Sequence, residues 1–166
     1  MIQTDKRIDD ALLKKIEAAG CLVWITDGVI YSSDDATVQA IIDAYTLDEA
    51  KAAVCIDILK LAKQKRDAAT ADIAPAEMAS WAIKLAEAAA YKKNKDKTEA
   101  KLLEKEAKAR GISLDALIVK VDGNAEQLSD LEAAISGTDG KHRDAVMALT
   151  DWAALYAYDY HAGWPV

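Results

Sequence analysis

The chain has 166 residues, a formal net charge of −7 and a hydrophobic fraction of 52% in which alanine is prominent. That is the composition of one helical domain of ordinary size. The acidity excludes wholesale wrapping of nucleic acid, whose affinity comes from clustered Lys and Arg. Phe is absent and Pro occurs only at Pro75 and Pro165, which argues against an all-β fold.

Spacings of three and four in Ile8, Leu12, Leu13 and Ile16 predict a first amphipathic helix over residues 4–19, capped by Thr4 or Asp5 and stopped by Gly20. Two β-branched and aromatic runs follow, Cys21 to Ile25 and Val29 to Ser32, around Thr26-Asp27-Gly28. They read as a hairpin with a tight turn, which needs helices behind it because two strands alone are marginal. Ser33, Asp34 and Asp35 cap a short helix through Val38, Ile41, Ile42 and Tyr45. Asp9-Asp10 and Asp34-Asp35 serve as caps and first-turn acids.

Thr46-Leu47-Asp48-Glu49 has the form of a capping box and opens a long helix to about Thr70, with Val54, Ile58 and Leu61, flanked by Cys55 and Leu59, as its apolar stripe. The division falls here: residues 1–46 form an N-terminal helix, hairpin and short helix, and residues 47–166 a helical domain. Pro75 breaks the long helix by disfavouring helical geometry at Ala74. A helix over 76–93 then places Met78, Trp81, Leu85 and Ala88 on one face, which makes Trp81 a core anchor rather than a ligand platform. From Tyr91 to Arg110 eight basic residues face four acidic ones, so this segment carries +4 and the remainder −11; Lys/Glu alternation of this kind marks an ion-paired, solvated helix face.

Gly111 ends a helix over 97–110, and Ser113 caps the next. Leu114, Leu117, Ile118, Val121, Ala125, Leu128, Leu131 and Ile135 recur at nearly heptad spacing, as core within the chain or as the seam of a homo-oligomer. Gly137-Thr138-Asp139-Gly140 is read as a break, and a last helix runs from Lys141 toward Tyr160. Its line Val146, Leu149, Trp152, Ala153 and Tyr156 buries at least one edge of Trp152 and Tyr156 inside the protein. Tyr158, Tyr160, Trp164 and Pro165 remain as the candidate partner-binding patch, because amphipathic rings give large contact area at low entropic cost.

No nucleophile, base or metal cage is visible. GxSxG, GxGxxG, GxxxxGK[ST] and HExxH are absent, Cys21 and Cys55 have no ligand spacing, and His142 and His161 are isolated. No catalytic, cofactor-binding or metal-binding residue is assigned, and no cofactor is expected. MIQTDKRIDD lacks an apolar leader core and no stretch approaches the ~18 apolar residues of a membrane span, so neither export nor a membrane partner is expected.

The segments AEMASWAIKLAEAAAY and KARGISLDALIVKVDGNAEQ and the terminal GWP resemble a helical domain of unknown function found in phage tail-fibre and tail-fibre assembly proteins. The likeness spans roughly residues 70–166, and WITDGVIYSSDDATVQAIIDAYT is similar to a leader that precedes such domains. A Lys-rich insertion replaces the family's short Pro/Ala linker. The resemblance implies a mainly α bundle with a small N-terminal β-hairpin. It also implies a non-enzymatic role, as a fibre-assembly chaperone or structural tail component that binds a phage tail or tail-fibre protein, in the host cytoplasm during infection or in the virion tail. The competing reading is a small acidic phage-encoded inhibitor or regulator that occupies a basic surface of a host protein, motivated by the −11 outside the Lys-rich segment.

Overall fold

Local capping chemistry sets most of the helix ends. In the computed structural model, which describes residues 2, 4–26 and 29–165, the chain is mainly α with one antiparallel hairpin near its N-terminus. It divides into two units, Met1–Lys63 with Gly137–Trp164 and Gln64–Ser136 with Pro165–Val166. The expected boundary at residue 46 falls inside the first unit.

In the first unit, α1 (Asp10–Ala18) starts later than expected. Asp9, not Thr4 or Asp5, accepts the Leu12 amide at 2.8 Å as the cap. Residues 4–7 are drawn elsewhere: the Lys6 ammonium donates to the carbonyls of Ile42, Asp43 and Tyr45 at 2.6, 2.9 and 2.8 Å. Those are C-terminal carbonyls of α2 (Asp35–Ala44) and its cap, which the helix cannot satisfy itself and which favour a cation. α1 ends at Gly20, whose φ of +76° an L side chain adopts only with strain. Asp34 caps α2 by accepting the amides of Ala36 and Thr37.

β1 (Val23–Thr26) and β2 (Val29–Ser32) pair Trp24 with Tyr31 and Ile25 with Ile30, so Thr26 belongs to the strand. Asp27 and Gly28 of the expected turn lie outside the described residues. Ile30 is buried, which turns the opposite hairpin face outward.

α3 (Leu47–Ala69) begins with the expected capping box: the Thr46 amide donates to Glu49 and the Glu49 amide to the Thr46 hydroxyl, at 2.9 and 3.3 Å. Its buried face is narrower than the aliphatic stripe predicted. Ala50, Ala53, Ile58 and Ala62 are buried, Val54, Cys55 and Leu61 are half-buried, and Leu59 is exposed. Buried alanines let backbones approach closely, which leaves the larger aliphatics at the margin. With Leu12, Ile16, Val38, Ile42 and Tyr45 they form the core of this unit, each large aliphatic contributing roughly 2 kcal/mol of burial.

The second unit holds the end of α3, then α4 (Pro75–Asn94), a 3-10 turn at Lys97–Glu99, α5 (Lys101–Ala109) and the first part of α6. Ala74 is extended (φ −61°, ψ 140°) and Pro75 occupies the first turn of α4, as the pre-proline restriction requires. α5 ends at Gly111, with φ +65° and a hydrogen bond donated by the Ile112 amide back to the Ala107 carbonyl. Ala88, Tyr91, Ala100, Leu103, Ala107, Leu114, Leu117 and Ile118 form its filled core.

α6 (Leu114–Ala148) corrects the sequence reading. It runs 35 residues without interruption, so Gly137-Thr138-Asp139-Gly140 is helical rather than a break. Burial of Ile135, Asp139, His142 and Val146 along this stretch, with Arg143 bonded to Asp139 one turn back, outweighs about 1 kcal/mol of propensity lost per glycine. The expected helix 141–160 is interrupted instead before Asp151, which accepts the Ala154 amide at 2.8 Å and caps α7 (Trp152–Ala157).

Candidate functional site

The second unit contains an unfilled site where the sequence predicts core. α4 buries Ala88 and Tyr91 at its C-terminal end, but Met78 and Leu85 are exposed and Trp81 is only half-buried. With Leu117, Leu128 and Ile135 of α6 they line a cavity of about 640 Å³. Trp81 is therefore a wall of a hollow rather than the anchor of a closed core. The heptad-like stripe of α6 divides likewise: Leu114, Leu117, Ile118 and Ile135 are buried, while Val121, Leu128 and Leu131 are half-buried.

Two sets of ion pairs line this cavity. Arg66 donates from Nε and Nη2 to the Glu132 carboxylate, and from Nη2 to the Ser136 hydroxyl at 3.0 Å. The Arg66 guanidinium, helped by Ser136, lowers the Glu132 pKa to about 2. Toward α5, the Lys84 ammonium, on a residue only 6% exposed, lies 2.6 Å from Glu77 and 2.8 Å from Glu106. Burial opposes its charge, but the two carboxylates outweigh burial and hold its pKa above the ordinary value. Lys84, ahead of Arg110, holds the Glu106 carboxyl below its usual range. A buried lysine with two acids is a stable charge arrangement, not a base poised for proton transfer.

A second exposed feature belongs to the first unit. Leu22, Trp24 and Tyr31 project from the outward hairpin face; the Trp24 and Tyr31 rings stack across the strands at 6.0 Å and 10°. Ile25, on the other face near the tip, is 60% exposed.

The tail residues are placed differently from the expectation of a free patch. Trp164 is 9% exposed, stacks on the His142 ring at 5.7 Å and donates from Nε1 to the Tyr160 carbonyl at 2.8 Å. Tyr158 is half-buried, its hydroxyl 2.8 Å from His142 Nδ1, while His142 Nε2 lies 3.0 Å from the Ala162 carbonyl. His142 thus gathers Tyr158 and Trp164 into one cluster. Tyr160 is half-buried with its ring beside exposed His161, and Pro165 is half-buried. Trp152 packs on Tyr45 and Tyr156, with Lys6 above Trp152 and Arg7 above Tyr156, so the tail rings touch their own subunit.

Among the described residues no group of three or more His, Cys, Asp or Glu side chains is arranged to hold a metal ion, and no helix is long and apolar enough to cross a membrane. Cys21 and Cys55 are free thiols; burial pushes the Cys55 pKa up. Comparison with protein-family models, with curated proteins and with solved structures finds no match.

Sequence reasoning misses both exposed features, for different reasons. The hairpin face lies within the continuous apolar run Leu22, Val23, Trp24 and Ile25, in which outward and inward positions are distinguished only once a core side is known. The cavity leaves no such trace, because Met78, Trp81 and Leu85 have the spacing of any buried stripe.

Proposed function

We propose that the chain is a non-enzymatic protein-binding module that engages its partner through the outward face of the hairpin. The observation that carries this reading is the exposed apolar surface of Leu22, Trp24 and Tyr31, with two rings prestacked at 6.0 Å. Large rigid aromatic side chains supply contact area without much rotamer entropy to lose, which is why they dominate binding hot spots. The sequence resemblance supports a phage tail-fibre polypeptide as partner and a role as assembly chaperone or tail component. Cytoplasmic action during infection, or a place in the tail, belongs to the same reading.

The test is co-expression with a phage tail-fibre polypeptide. Wild type co-purifies with it, and Trp24→Ala/Tyr31→Ala loses at least tenfold of that yield while keeping its far-UV circular dichroism. Full co-purification by the double variant overturns the hairpin as the contact. Failure of wild type to bind overturns the fibre as the partner.

A further inference from the structure

The cavity of the second unit has the shape and charge of a site for a single hydrocarbon chain. Its floor on α6 runs from Leu117 to Ile135, about 27 Å at 1.5 Å per residue. Its volume of about 640 Å³ lies inside the ~300–1,000 Å³ range of small-molecule pockets, and one extended alkyl chain fits along that floor.

The lining also indicates what the chain's head carries. Arg66 is committed to Glu132, Lys84 to Glu77 and Glu106, and Arg110 to Glu106. Lys120 is the cation of the lining with no partner among the described residues, and Asn124 stands one turn further along α6. Arg110 uses Nη1 on Glu106 and retains further N–H donors. The unpartnered charge toward the α5 end is therefore positive, whereas the end toward Arg66 adds the carboxylate of Asp67 to the Arg66–Glu132 pair and does not suit an anionic head.

We propose that this cavity binds a free single-chain anionic amphiphile, a long-chain carboxylate, with its head at Lys120 and its tail running along α6 past Trp81 toward Ile135. The site is separate from the hairpin face, and its test does not depend on any protein partner.

Sodium oleate below its micellar concentration, titrated into the full-length chain by calorimetry, is expected to bind one to one. Lys120→Gln, an exposed substitution that leaves the fold intact, weakens oleate about fivefold and leaves oleyl alcohol unchanged. Ala125→Trp, which fills the cavity from half-buried Ala125, abolishes binding of both. Oleate binding that survives Ala125→Trp with unchanged affinity, or that is indifferent to Lys120→Gln, overturns the proposal. So does tighter binding of phosphatidylglycerol vesicles than of oleate, which would assign the site to a membrane surface.

Discussion

His142 shows how one side chain determines the fate of several others. A carbonyl only accepts, so the contact of Nε2 with Ala162 places the ring proton there and leaves Nδ1 to accept from the Tyr158 hydroxyl in the neutral ring. With Trp164 stacked on its face, His142 ties the end of the chain to α6. Trp164→Ala is therefore expected to cost about 3 kcal/mol in urea unfolding, in the manner of a buried aromatic truncation. Tyr158→Phe is expected to cost about 1 kcal/mol, one neutral hydrogen bond. A tail held free for a partner would show neither loss; unchanged unfolding midpoints would return Tyr158 and Trp164 to the candidate contact surface.

At the scale of elements, glycine means opposite things at different positions. Gly111 has φ +65°, so Gly111→Ala forces an L residue into the left-handed region and should destabilise by about 1 kcal/mol. Gly137 is exposed within right-handed α6, and an added Cβ there meets nothing within 4 Å. Gly137→Ala should stabilise by about 0.5–1 kcal/mol, and paired urea denaturation curves check both signs. This contrast also explains what can be read from sequence. The stops at Gly20 and Gly111, the Thr46–Glu49 box and the Asp34 cap are settled by neighbours within a few residues, and each is legible. Whether Gly137-Thr138-Asp139-Gly140 breaks a helix depends on burial of Asp139 and His142 by residues distant in sequence, and it is not. The same distance hides the cavity: α4 carries the right stripe, and only its neighbours decide whether Met78 and Leu85 are covered.

For the whole molecule, charge decides the response to acid. In the Lys-rich segment 91–110, Lys92 pairs with Asp122 and Lys95 with Asp115, two acids from outside the segment, so it presents less free positive charge than its +4 suggests. Glu132, through Arg66, and Glu49, through Lys15 and then Thr46, both have pKa values lowered from 4.5 to about 2. A depressed carboxyl pKa contributes stability that is present above the unfolded value and lost as pH falls through the folded one, so these contacts weaken between pH 4.5 and about 2. That interval lies below the sequence pI of about 4.9, so over it the net charge climbs from slightly positive toward +23, since neutralising all 28 Asp and Glu leaves 21 Lys and Arg plus 2 His. Both effects act against the fold, and far-UV circular dichroism should show acid unfolding inside that window. They separate with salt: about 1 M NaCl cuts the screening length to roughly 3 Å and removes the repulsion without restoring protonated ion pairs. The midpoint should then move only part of the way to lower pH. Arg66→Gln, followed by carboxyl NMR, should return the Glu132 titration toward 4.5; a Glu132 that still titrates near 2 would show that Arg66 is not its source.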